Sequence, residues 1–124
     1  CVDEIAEWRS PVPIPAVEPY VVGLLNLRGR ALPVLDLAAF VGIRSNREHE
    51  PPQRIVVLNA AGMRVGVETL RVSRILEARA DEWHGVETVQ GERLCALSVA
   101  ELRMKEGVVA VLDPVLLLEL ARVR

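Results

Sequence analysis

Two apolar runs, Val21–Leu25 and Ala31–Leu35, flank a short polar knot, Asn26-Leu27-Arg28-Gly29-Arg30. Neither run has helical spacing, so the pattern predicts two strands joined by a tight turn. Gly29 supplies the positive φ that such a turn needs. Strand alternation assigns Val22, Leu24, Asn26 and Arg28 to one face and Val21, Gly23, Leu25 and Leu27 to the other. Asn26 and Arg28 then end an otherwise apolar face, either as a satisfied clamp or as a recognition point.

The same pattern divides the remaining chain. Val2–Trp8 fits a strand or a helical turn equally well. Ser10–Pro19 carries Pro11, Pro13, Pro15 and Pro19, which remove donors and fix φ, so it reads as an extended connector packed across the surface through Val12, Ile14 and Val17. Leu37–Val41 predicts a helical turn ended by Gly42, and Arg44–Gln53 a charged surface loop. Arg54–Asn59 predicts a strand. Met63–Leu76 predicts one long or bent strand, with Gly66 as a bend or close-approach point. Val86–Gln90 and Leu94–Leu97 suggest a weak hairpin, and Val99–Lys105 a short helix. Val108–Leu112 predicts a buried strand. Asp113 and Pro114 then open a helix as N-cap and first residue, with Val115, Leu116, Leu118 and Leu120 as its apolar face. Ala31–Leu37 and Val109–Leu116 echo each other as strand, Leu-Asp, apolar turn, which suggests two similar half-units.

Composition narrows the function. The 124 residues are 51% hydrophobic but only 3% aromatic, so the core is aliphatic; its valine content favours a mainly β fold. A net charge of -2 disfavours nucleic acid, which needs a basic face. No apolar run is long enough to insert in a membrane: the longest, Val108–Leu120, is broken by Asp113, Pro114 and Glu119. Cys1 and Cys95, far apart in a small acidic domain, fit a reducing, cytoplasmic setting.

Catalytic and metal chemistry find little support. His49 and His84 lack ligand partners at metal spacing, and Cys95 reads as a small buried residue of an apolar strand. Glu4 and Glu7 are separated surface acids. No phosphate loop is present, since Gly62 and Gly66 lack its lysine and helix. No cofactor or metal is therefore expected. Asp36 and Asp113 each end a strand and read as helix caps. Arg28 has two equal uses open to it: pairing with Asp36 across the hairpin, or offering its fork to a partner.

Gly23-Leu24-Leu25-Asn26-Leu27-Arg28-Gly29, followed by Leu32-Pro33-Val34-Leu35-Asp36-Leu37, resembles the signature of the CheW-like domain of bacterial chemotaxis. Val2-Asp3-Glu4-Ile5, Pro15, Pro19 and Val108–Leu117 resemble flanking parts of the same pattern. The resemblance implies one such domain over residues 1–124, mainly β, with two small SH3-like five-stranded barrels and short helices, its first strands missing. It implies a non-catalytic adaptor that couples the cytoplasmic tips of chemoreceptors to the regulatory domain of a histidine autokinase. It places Val2, Glu4, Gly23, Asn26 and Arg28 on a receptor-contacting face, and leaves Gly29, Pro33, Asp36 and Asp113 as structural positions. The alternative is a CheW-like regulatory fragment of a larger kinase or of a coupling–receiver fusion. The chain departs from the family in three ways. Two family strands normally precede the Val2 segment, so strand exchange into a homo-oligomer is one way to cover the resulting edges. Val67-Glu68-Thr69-Leu70 stands where a Val-Asp pair is usual, and Trp83–Lys105 matches poorly.

Overall fold

The computed structural model describes residues 2–15, 17–43, 49–60, 62–72 and 75–121. Five strands, β1 (Val2–Glu7), β2 (Val21–Leu27), β3 (Arg30–Leu35), β4 (Arg54–Ala60) and β5 (Met63–Thr69), form one sheet in the order β1-β4-β5-β3-β2. The β2–β3 hairpin predicted from the apolar runs is present, and Val2–Glu7 is a strand rather than a helical turn. β3 and β5 run parallel through Val34 and Leu35 alone. Pro33, which has no N–H to give, lies just ahead of that short ladder.

The sheet curls into a barrel. Leu25, Leu27, Leu32, Val34, Ile55 and Val57 fill its interior. The chain leaving β1 passes along the outer edge of β2, where the Val12 and Leu24 backbones exchange hydrogen bonds of 2.8 and 2.9 Å. The proline connector thus meets the barrel through its backbone, while the Val12 side chain stays exposed. Gly66 lies where strands approach closely, its absent Cβ within 2.8 Å of the Ile55 side chain. At one end of the interior the Trp8 indole N–H donates to the Glu68 carboxylate at 2.6 Å.

The second unit is a sheet of β6 (Trp83–His84), β7 (Ser98–Met104) and β8 (Gly107–Leu112), in that order. Among the described residues it has three strands, where the resemblance implies five in each unit. Its helices α2 (Glu92–Leu97) and α3 (Pro114–Ala121), with α1 (Leu37–Val41) of the first unit, join the two halves. One core does this: Leu35, Phe40, Leu58, Val65 and Val67 pack with Leu97, Leu117, Leu118 and Ala121.

Several expectations are corrected. β5 ends at Thr69, paired to the first residue of β4; residues 70–72, 75 and 76 belong to no strand, and residues 73 and 74 of the expected long strand lie outside those described. Leu94–Leu97 belongs to a helix, because helical geometry buries Leu97 in the shared core while Arg93 reaches Phe40. Cys95 is accordingly exposed on that helix, with its thiol on the Val89 carbonyl, and not buried in a strand. Ser98–Met104 is a strand despite its good helix formers, since pairing with both β6 and β8 outweighs local propensity. The inward stripe of α3 is Leu117, Leu118 and Ala121, leaving Val115 and Leu120 exposed. Residues 44–48 of the expected surface loop lie outside the described residues.

The expected caps form. Asp36 accepts from the Ala39 N–H at 3.2 Å, and Asp113 from the Val115 N–H at 2.9 Å. Gly42 ends α1 in the left-handed conformation.

Glu101, which sequence patterns did not single out, is fully buried on β7. Its carboxylate accepts from the Thr88 hydroxyl, from the Glu87 and Thr88 backbone N–H groups, and from Arg103 at 3.2 Å. The Thr88 hydroxyl, first, and these backbone donors hold its pKa down to about 2. The stabilisation is present above the ordinary carboxylate value and is lost as pH falls from there through about 2. We expect Glu101→Gln to lower the thermal midpoint at pH 7, and the gap from the parent to close as acid titrations approach pH 2.

Candidate protein-interaction site

The β2–β3 turn is a two-residue loop with both central residues left-handed, Arg28 at φ 52° and Gly29 at φ 77°. This is the sign pattern of a type I′ turn, which matches the twist of the strands it joins. Arg28 is the one non-glycine with positive φ among the described residues. Asparagine or glycine is the usual occupant there, so the arginine stands against local preference.

Its side chain accounts for the choice. Arg28 Nε and Nη2 donate to the two Glu4 carboxylate oxygens at 3.2 and 3.1 Å. The expected alternative partner, Asp36, caps α1 at the far end of β3. A parallel fork of this kind adds directionality to a charge contact. Arg28 and Glu4 tie β2 to β1, the two outer strands of the sheet. The Arg28 side chain is nonetheless 75% exposed, against 24% for Glu4.

Three further residues complete the patch. Arg64 Nη2 lies 3.6 Å from Glu4 Oε1, and Arg64 Nε lies 3.4 Å from Asp3 Oδ2. The Asn59 side-chain amide donates to the same Asp3 oxygen at 3.4 Å. Asn59 and Arg64 face each other across the β4–β5 ladder. These residues carried no motif; the acids and arginines belong to separate strands, and only the curled sheet brings them together.

The sequence-derived site residues are distributed as follows. Val2 and Glu4 lie on β1, with Val2 exposed and Glu4 at the arginine pair. Asn26 is exposed near the end of β2, and its backbone carbonyl accepts from Arg9 at 3.0 Å. Arg28 lies in the turn itself and not on the strand face with Val22 and Leu24. Gly23 is buried beneath the connector: a Cβ built on it would lie 2.2 Å from the Val12 carbonyl oxygen. The structure thus brings Glu4 and Arg28 into contact and sets Gly23 under the proline connector. Gly29 is the second central residue of the turn, and Pro33 lies within β3 opposite Leu24.

The described residues contain no group of three or more His, Cys, Asp or Glu side chains arranged to hold a metal, and no helix long and apolar enough to cross a membrane. The combination defines a class: a small aliphatic β-barrel domain with a second sheet packed on it and a charged hairpin tip. The chain belongs to the CheW-like domain family, whose model matches residues 1–122.

Relatives agree. The chain is 35% identical over 65 residues to the chemotaxis protein CheW of Bacillus subtilis, covering 52% of this chain and 41% of that protein. It is 38% identical over 77 residues to the chemotaxis protein CheW of Rhizobium meliloti, covering 60% and 48%. It is 27% identical over 124 residues to the chemotaxis protein CheW of Thermotoga maritima, covering 86% and 81%. The matches to the first two span less than half of those relatives' length. The crystal structure of the scaffolding protein TtCheW from Thermoanaerobacter tengcongensis has the same fold, with a TM-score of 0.80 and 21% identity over 94% of this chain and 74% of that one.

The buried position of Gly23 yields a direct expectation. Gly23→Val drives a side chain into the Val12–Pro13 backbone and lifts the connector off β2. Overpacking of this kind costs about 1–3 kcal/mol. Urea unfolding is expected to report that loss, and hydrogen exchange at Val12 and Leu24 to show the broken bridge.

Proposed function

We propose that this chain, as a single CheW-like domain over residues 1–124, is a non-catalytic adaptor of chemotaxis-type signalling. It joins the cytoplasmic tips of chemoreceptors to the regulatory domain of a histidine autokinase, in the cytoplasm. The observation that carries the reading is the Glu4–Arg28 fork at the hairpin tip of a domain of this family. Arginine is enriched at protein interfaces because one planar group offers several directed donors. The face around it is formed by Val2, Glu4, Asn26 and Arg28, with Gly23 seated under the connector on the same strand as Asn26. The relatives described above are each named chemotaxis protein CheW, which favours the adaptor over a kinase fragment.

Reversal of the charge at Arg28 tests the face. Arg28→Glu places a carboxylate against Glu4 and removes the outward donors. Binding to a chemoreceptor tip fragment, measured calorimetrically, is expected to weaken about thirtyfold, the scale of an interface hot spot of about 2 kcal/mol. Arg28→Asn keeps the left-handed turn and serves as the folded control; it too is expected to bind weakly. Parental affinity in both variants would sink the assignment of this face.

We also propose that the free edge of the second sheet exchanges strands between copies of the chain. Among the described residues β8 pairs only with β7, and its Val108 and Val109 are half exposed. An edge strand of this kind is a template for another chain. Light scattering is expected to show a dimer that grows with concentration, and Val108→Lys to return it to monomer. A monomer at all concentrations would rule the exchange out.

A further inference from the structure

Asp3 and Glu4 are neighbours in sequence, so on a regular strand their side chains would point to opposite faces. Here both reach Arg64. The reason is a break in the β1–β4 ladder: Val2 pairs with Leu58 and Glu4 with Val57, which leaves Asp3 as an extra residue between them. A bulge re-aims side chains in just this fashion. It delivers two adjacent carboxylates to one guanidinium.

Arg64 is well placed to use them. Its side chain is only 21% exposed, behind the 24% exposed Glu4, with Arg28 outermost. Arg64 spans Asp3 and Glu4, and Asn59 holds Asp3 from the neighbouring strand. Glu4 in turn receives the Nε and Nη2 edge of Arg28. The order of contacts runs from the sheet outward: Asn59 and Arg64, then Asp3 and Glu4, then Arg28.

We infer that Arg64 is the positioning residue of this patch: held by the bulged Asp3, it fixes Glu4, and Glu4 presents the outer edge of Arg28 to a carboxylate of the partner. This rests on the reading of the hairpin tip as a partner-binding face and names the chemistry of the contact. A guanidinium has five N–H donors. Glu4 takes donors from Nε and Nη2, which leaves the Nη1 end of the group uncommitted to Glu4 on a side chain that is 75% exposed. That end suits a second carboxylate.

Charge points the same way. Asp3 and Glu4 balance Arg28 and Arg64, while Arg9, on the Asn26 carbonyl, adds a further cation to the same edge. An unheld arginine would give up its side-chain freedom on binding. One already held by Glu4 has less to lose. Arg64 thereby contributes to affinity without touching the partner.

Calorimetry with a chemoreceptor tip fragment tests this on the parent, Arg64→Met, Glu4→Gln and the double variant. Arg64→Met is expected to weaken binding roughly three- to tenfold, the effect of freeing one long side chain. Because Arg64 acts through Glu4, the double variant is expected to bind no more weakly than Glu4→Gln alone. Arg64→Lys, which keeps the charge but not the two-acid span, is expected to fall between parent and Arg64→Met. Changing each acidic residue of the tip fragment to its amide is expected to find one that matters in the parent and not in Arg28→Ala. Parental affinity in Arg64→Met, or losses that multiply in the double variant, would overturn the positioning role; no sensitive acid would overturn the carboxylate. If the parent itself does not bind the fragment, the partner-binding face fails, and the positioning role is read from the Nε–H order parameter of Arg28. A decrease in Arg64→Met sustains it, and no change overturns it.

Discussion

The fork between Arg28 and Glu4 joins two strands that share no ladder. β1 and β2 are the outer strands of a five-stranded sheet, and a curled sheet exposes its interior wherever its outer strands diverge. Hydrogen bonds at Val12 close part of the gap through the backbone. At the hairpin tip closure falls to side chains, and a charged pair serves where an apolar one would leave the mouth of the barrel greasy. The same ion pair thus belongs to the architecture and to the surface a partner would meet. Exposed single ion pairs contribute little, about 0–1 kcal/mol, so the weight rests on the network: two arginines, two acids and one amide spread over β1, the β2–β3 turn, β4 and β5.

Each end of the barrel interior carries its own polar group. Aliphatic side chains fill the middle, Trp8 meets Glu68 at one end, and the Asp3–Glu4–Arg64 group sits at the other. The second unit uses the same device differently, with Glu101 buried under the loop that follows β6 and its acceptor oxygens taken up by the Thr88 hydroxyl, the Glu87 and Thr88 backbone N–H groups and Arg103. A buried carboxylate is tolerable only with such donors around it. Between the units, one continuous aliphatic core makes α2 and α3 part of the packing of the first barrel, and Arg93 adds a cation over the Phe40 ring, 4.8 Å from its centre.

Much of this was legible in the residues. Apolar runs without helical spacing gave the β2–β3 hairpin, and Leu-Asp at the end of each half marked where a strand yields to a helix. Glu4 and Arg28 were named through a family pattern, and they meet. Their partner relation was not legible, because nothing in the spacing of residues 4 and 28 distinguishes Glu4 from Asp36 as the acid that Arg28 would choose. Gly23 was legible as special, but its place beneath Val12 depends on where the connector crosses.

By itself, the chain determined its class, its aliphatic core, the tight turn and both helix caps, since these follow from hydrophobic period and from local hydrogen-bond chemistry a few residues long. Tertiary structure decided the rest. Ser98–Met104 became a strand because two neighbouring strands offered it ladders that outweighed its helix-forming residues. Leu94–Leu97 became a helix because the shared core had room for Leu97 on that face. Asp3, Glu4, Asn59 and Arg64 became one cluster because a bulge and the curl of a sheet overrode the alternation that separates adjacent side chains. Contacts between residues sixty positions apart are set by how sheets bend, and no local pattern records that.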